Sequence, residues 1–265
     1  MPPLRFLSFI LAALGALATI PVQATEPLQC GIVLLHGKWG DPKLLNGVAR
    51  QLSGVCEVLQ PEMAWSRRRM YDKPYAAALQ EITPLLAQLR AKGYARVLLG
   101  GQSLGANAAL AYAAQVGGVQ GVLAMSPGHI PERWYRAADK TRPAVDKARA
   151  LVEAGQGEQT LEITDINSGR TQALSLRADV LLSYFDPQGW GNMPRSVDLL
   201  AHADKPVPLL WVIGAQDPLY EGPNGYDFYK APMHPSSRYV VVDAGHMNAP
   251  DVAAAAVLDW VKALP

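Results

Sequence analysis

The sequence predicts an α/β protein: a doubly wound, mostly parallel sheet of about six strands with an inserted helix-and-hairpin cap. Three observations predict it. Short apolar runs alternate with helix-spaced segments from Gly31 onward. A serine between glycines, Gly101-Gln102-Ser103-Leu104-Gly105, joins one such run to one such segment. The alternation breaks once, between about residues 131 and 206, where a polar and hairpin-like stretch intervenes.

The elements follow in chain order. Arg5 precedes an apolar run from Phe6 to Ile20, which closes on Val22-Gln23-Ala24. That is the form of a secretory signal peptide over residues 1–24, cleaved after Ala24. The competing reading is a membrane anchor, but the run falls short of the roughly 20 residues a spanning helix needs. Residues 25–265 then form one domain. GIVLLHG, CEVLQP, RVLLGG, VQGVLAMSP, PLLWVIGA and RYVVVDAG read as strands. PKLLNGVARQLSG, PYAAALQEITPLLAQLRAKG, SLGANAALAYAAQV and PDVAAAAVLDWVKAL have helical spacing, and Pro84 is expected to kink the second. Near-continuous apolar strands belong to parallel sheets covered on both faces. Right-handed crossovers wind such a sheet doubly, and functional groups gather beyond the carboxyl ends of its strands. His36, Ser103, Ser126, Asp217 and His246 all stand at or just past such ends.

The break in the alternation holds a charged helical segment, DKTRPAVDKARALVEAG. Two alternating runs follow, joined at Ile166-Asn167-Ser168-Gly169, which read as a β-hairpin. The last piece, LLSYFDPQGWGNMPRSVDLLA, is less regular. The insertion leaves the sheet on its functional edge and is expected to cap the site; the alternative is a surface decoration.

Lys and Arg number 24 against 23 Asp and Glu. A balanced chain gives no electrostatic case for nucleic acid or an anionic membrane as partner. No metal-ligand cluster, phosphate-binding glycine loop or dinucleotide fingerprint appears, so neither a metal nor a cofactor is implied. The two cysteines, Cys30 and Cys56, lie beyond the signal segment, in a chain destined for an oxidising compartment. A bridge between them would be worth about 3.5 kcal/mol by loop closure; the alternative is two buried thiols.

In a chain with 23 glycines the Gly-x-Ser-x-Gly spacing is weak by itself. Its placement between a strand and a helix makes it specific. A turn this tight strains the middle residue and lifts its side chain clear of the sheet. The helix then points free N–H groups at charge developing beside Ser103. An N-cap role would explain the serine but not both glycines. A serine nucleophile needs a base, and His246 follows the last strand before a helix start. His129, after the fourth strand, is the rival. The base needs a carboxylate to fix its tautomer. Asp217 follows the penultimate strand, whereas the turn after the fourth strand, Ser126-Pro127-Gly128-His129, holds no acid.

LLHG, GGQSLG, VIGAQDP and DAGHMNAP, in that order and on those elements, resemble the α/β-hydrolase superfamily across essentially the whole mature chain. The two antiparallel strands that often open the fold are not read here, and the turn after His36-Gly37 reads Lys38-Trp39-Gly40-Asp41 rather than the glycine run of many lipases. The resemblance implies a periplasmic or secreted serine hydrolase with Ser103, Asp217 and His246 as its triad. It implies an oxyanion hole from the N–H of Leu104 and that of Lys38 or Trp39. In its strand order Cys30 and Cys56 open adjacent strands at the end away from the site. The substrate implied is a small acyl compound: an ester or thioester, or else an amide or acyl transfer. A hydrolase-fold binding protein without catalysis is the third reading. His36, Trp65, Arg67, Tyr71 and His129 are candidate substrate contacts. The Arg67-Arg68-Arg69 run either clamps an anionic group or is a solvated loop paired with acids of the cap.

Overall fold

The computed structural model describes residues 29–137, 141–167, 169–222, 228 and 234–265. The expected signal segment, residues 1–24, and the hairpin residue Ser168 lie outside these. Strands β1 (Cys30–Leu35), β2 (Cys56–Leu59), β3 (Arg96–Ser103), β4 (Val122–Pro127), β7 (Leu209–Gly214) and β8 (Arg238–Val242) form one sheet, in the order β2-β1-β3-β4-β7-β8. Every neighbouring pair in it is parallel. The antiparallel pair β5 (Thr160–Asn167) and β6 (Arg170–Arg177) stands apart.

The four inner strands β1, β3, β4 and β7 are buried on both faces, which is why they read as unbroken apolar runs. Ile32 and Leu34 face α1 (Asn46–Leu52) and α10 (Ala254–Ala263), the latter preceded by the short α9 (Ala249–Val252). Val33 and Leu35 face the opposite layer, which includes α3 (Ile82–Ala91) and α4 (Leu104–Gln115). Each such side chain stabilises the fold by roughly 1.5–3 kcal/mol through burial. The kink at Pro84 is a full break: α2 (Tyr75–Gln80) ends before Glu81 and α3 restarts after it. Pro84 has no N–H for the carbonyl of Gln80, four residues back.

The inserted cap comprises α5 (Pro131–Ala137), α6 (Thr141–Glu153), the β5–β6 hairpin and α7 (Ala178–Phe185). The piece read as irregular forms two helices, α7 and α8 (Met193–Ala201). Its glycines and prolines lie between them, with Asn192 capping α8 by accepting from the Arg195 N–H at 2.8 Å. Helix α8 packs back against α4, beside the sheet. The hairpin turn is tighter than the four residues the sequence marks, because Asn167 and Arg170 pair directly. Cys30 and Cys56 are register partners on adjacent strands and form a disulfide. Such bridges persist in oxidising, non-cytoplasmic surroundings. Among the described residues no helix is long and apolar enough to cross a membrane.

Strand order reverses between β1 and β3, since the chain moves outward to β2 before returning across β1. That switch point opens a crevice beyond the carboxyl ends of β1 and β3, where the turn after His36 meets Ser103.

Candidate active site

Ser103 ends β3 with φ 55° and ψ −120°, a conformation costly for a non-glycine residue. The glycines around it have a steric reason. A Cβ on Gly105 would lie 2.1 Å from the Leu35 carbonyl oxygen, and one on Gly101 would lie 2.4 Å from the Gly105 backbone. The first turn of α4 therefore presses against the end of β1, with the free N–H of Leu104 at the helix start.

His246 Nε2 lies 3.0 Å from Ser103 Oγ, and His246 Nδ1 lies 2.8 Å from Asp217 Oδ2. The Leu219 N–H donates to the other Asp217 oxygen at 2.9 Å. Burial alone would raise the Asp217 pKa. The hydrogen bond and charge of His246, with the Leu219 amide, outweigh it and hold the carboxyl below its ordinary value. The Asp217 side chain is fully buried, while His246 keeps 15% of its side chain exposed. A serine, a histidine and an acid thus form one hydrogen-bonded chain that opens onto a cavity.

That cavity is about 310 Å³, lined by Ser103, His246, Lys38, His129, Trp134 and Ile166 among others. His129 is a wall residue with φ 64°, its carbonyl held by the Asn107 side chain at 3.0 Å. Its Nε2 lies 2.7 Å from the Tyr184 carbonyl, which can only accept, so Nε2 carries the proton. Burial, with the charge of Lys38, pushes its pKa well down, so the ring is neutral. Nδ1 is then a buried acceptor with no partner among the described residues.

The other candidate contacts are not brought to the cavity. His36 accepts the Met63 N–H at Nε2 (3.0 Å), so its Nδ1–H donates to the Gly37 carbonyl (2.8 Å); burial lowers its pKa. Trp65 is fully buried and donates to the His36 carbonyl at 2.8 Å. Tyr71 is buried with its hydroxyl on Asp165 at 2.7 Å. These three form the floor beneath the turn, because each satisfies its polar atoms within the protein. Arg67 is exposed and lines a separate groove with Asp41, Lys43 and Glu62. Its neighbours are paired: Arg68 with Glu62, and Arg69 with both Asp72 and Glu81. The acids belong to the loop itself and to the α2–α3 break, not to the cap. Of the cap aromatics, Trp134 lines the cavity, while Tyr184 and Phe185 are buried behind it.

The turn after His36 adjoins the serine: a Cβ on Gly37 would stand 3.2 Å from Ser103 Cβ. The Gly37 carbonyl accepts from His36 Nδ1–H and from the Gly40 N–H at 3.1 Å. In a trans peptide the Lys38 N–H points away from that carbonyl. The Trp39 N–H is engaged by the Trp65 carbonyl at 2.9 Å, so it has no capacity for an oxyanion. Of the two expected donors, Lys38 is the one left beside Ser103. Among the described residues, no group of His, Cys, Asp and Glu is arranged to hold a metal.

The chain belongs to the α/β-hydrolase family, whose model matches residues 32–260. Solved structures share the fold at low identity. One of the metagenome-derived lipolytic enzymes LipS and LipT is 14% identical over 89% of this chain and 93% of its own, with a TM-score of 0.62. A monoacylglycerol lipase from Paleococcus ferrophilus is 16% identical over 89% and 95%, with a TM-score of 0.62. Est1E from Butyrivibrio proteoclasticus, solved with ferulic acid, is 15% identical over 89% and 90%, with a TM-score of 0.60. No curated protein matches the chain.

Proposed function

We propose that this protein is a periplasmic or secreted serine hydrolase that cleaves a small carboxylic ester or thioester through an acyl-enzyme on Ser103. The observation that carries this reading is the 3.0 Å and 2.8 Å hydrogen-bond chain from Ser103 through His246 to Asp217, at a strained strand-to-helix turn. Asp217 holds the proton of neutral His246 on Nδ1, which leaves Nε2 free to take the proton of Ser103. Ser103 Oγ attacks the acyl carbon, and the oxyanion is met by the N–H groups of Leu104 and Lys38. His246 returns its proton to the leaving group. Water, activated by the same ring, then releases the acid and restores Ser103. Residues 1–24 direct export, and the disulfide accords with an oxidising destination.

Labelling with a fluorophosphonate tests the reading. The protein lacking residues 1–24 is expected to label, and Ser103→Ala and His246→Ala variants are not. Labelling that survives Ser103→Ala would remove the assignment. Ester, thioester and amide panels then order the leaving groups.

A further inference from the structure

A second buried polar cluster, which the chemistry above does not use, ties the oxyanion turn to the cap. Lys38 Nζ donates to Asp165 Oδ1 at 2.7 Å and to the Ile166 carbonyl at 3.0 Å. It also stands 4.3 Å from the centre of the Trp134 ring, a favourable place for a cation. Asp165 accepts from the Ile166 N–H at 2.8 Å and from the Tyr71 hydroxyl at 2.7 Å. The Lys38 and Asp165 side chains are 3% and 1% exposed. Asn167, two residues on, donates to the Lys38 carbonyl at 2.9 Å.

These contacts bear on the two peptides that flank the Lys38 Cα. From the core, Trp65 holds the Trp39 N–H and His36 holds the Gly37 carbonyl. From the cap, Asn167 holds the Lys38 carbonyl and Asp165 holds the Lys38 side chain. The Lys38 N–H is thus fixed from both sides, in a turn that abuts Ser103. The placement of Asp165 in its strand is itself informative. Leu161 and Ile163 face inward and are buried, and the period-two alternation puts Asp165 next on that face. A carboxylate stands where the pattern calls for an apolar residue.

We infer that Asp165 is a positioning residue: by gripping Lys38 it holds that residue's amide in the oxyanion hole, so the docked β5–β6 hairpin completes the catalytic site. The inference rests on the serine-hydrolase reading. It makes the cap a structural part of the chemistry as well as a wall of the cavity.

The test compares Asp165→Asn with the triple variant Lys38→Met/Asp165→Leu/Tyr71→Phe. The triple change removes the whole network and leaves no unpaired charge, so it keeps the fold even where Asp165→Asn does not. Losing one oxyanion donor costs about 10²- to 10³-fold in kcat. Misplacing one is expected to cost about 10- to 100-fold, with KM nearly unchanged, at temperatures well below each variant's Tm. A boronic acid, which forms a tetrahedral adduct on Ser103, should bind about 10- to 100-fold more weakly to both variants. The planar carboxylate product should bind them as it binds the parent. A merely structural role would lower Tm and leave the boronate-to-product ratio intact. A folded triple variant with parental kcat and parental boronate affinity overturns the inference while leaving the hydrolase reading in place. A parent that neither hydrolyses esters nor labels at Ser103 overturns both.

Discussion

Asp217 and Asp165 are two buried aspartates built on one plan and put to opposite uses. Each accepts from a basic side chain and from a nearby backbone amide, of Leu219 or of Ile166. The difference lies in the partner. Asp217 meets His246, which keeps 15% of its side chain open and passes its other nitrogen to Ser103. Asp165 meets Lys38, sealed at 3% exposure, with a tyrosine hydroxyl closing the remaining oxygen. One carboxylate orients a group that must gain and lose a proton. The other is joined to Lys38 and Tyr71 and reaches no nucleophile. A saturated network fixes geometry, whereas a reactive one needs an unfinished edge.

The sharpest way to break that comparison is at the open edge. Ser103→Ala and His246→Ala are each expected to lower kcat for a 4-nitrophenyl ester by about 10⁴- to 10⁶-fold, with little change in Tm. Asp217→Asn should follow at about 10³- to 10⁴-fold, because the amide no longer enforces the tautomer. The sign of the pH effect on stability is also fixed. The folded pKa of Asp217 lies below its ordinary 3.8, so its contribution is present above that value and lost as pH falls through the folded pKa. The Tm difference between parent and Asp217→Asn, measured by calorimetry, should therefore shrink as pH drops below about 4.

The next effect falls on stability alone. Removing the disulfide by Cys30→Ala/Cys56→Ala is expected to cost about 3.5 kcal/mol. That would lower Tm by roughly 7–14 °C, while kcat at 25 °C stays parental, since the bridge lies at the far end of the sheet. The smallest effect is expected at Arg67→Ala. An exposed side chain outside the cavity should leave kcat/KM within about twofold and stability within about 0.5 kcal/mol. A large loss on an anionic ester would restore Arg67 as a substrate contact.

The groups at the strand ends were legible because local pattern dictates them. Ser103 lies in a turn whose glycines are required by close approach, and Asp217 and His246 follow strands that read as unbroken apolar runs. The arginine run left two readings open, an anion clamp or a loop of paired charges, and only acids able to pair with it could decide between them. Glu62, Asp72 and Glu81 were close by in the sequence to do so. Trp39 could not be separated from Lys38, since a backbone N–H gives no sign in the sequence of where it will donate. The Lys38–Asp165 pair spans 127 positions and an insertion, so no local window contains it. Its one signal was an acid on the inward face of the strand TLEITDIN. Asn107 was hidden similarly, as a polar residue inside an alanine-rich helix, where it steadies the backbone of His129.

The Cys30–Cys56 bridge joins β1 to β2, which has four residues and, among the described residues, no sheet neighbour on its outer side. A strand in that position offers its unpaired backbone to any passing chain. So short a strand would also peel away at little cost, uncovering β1, which is buried along its whole length. A covalent bond between directly paired residues closes that route and locks the register. The same bond that stabilises the fold thus guards it against strand exchange and aggregation.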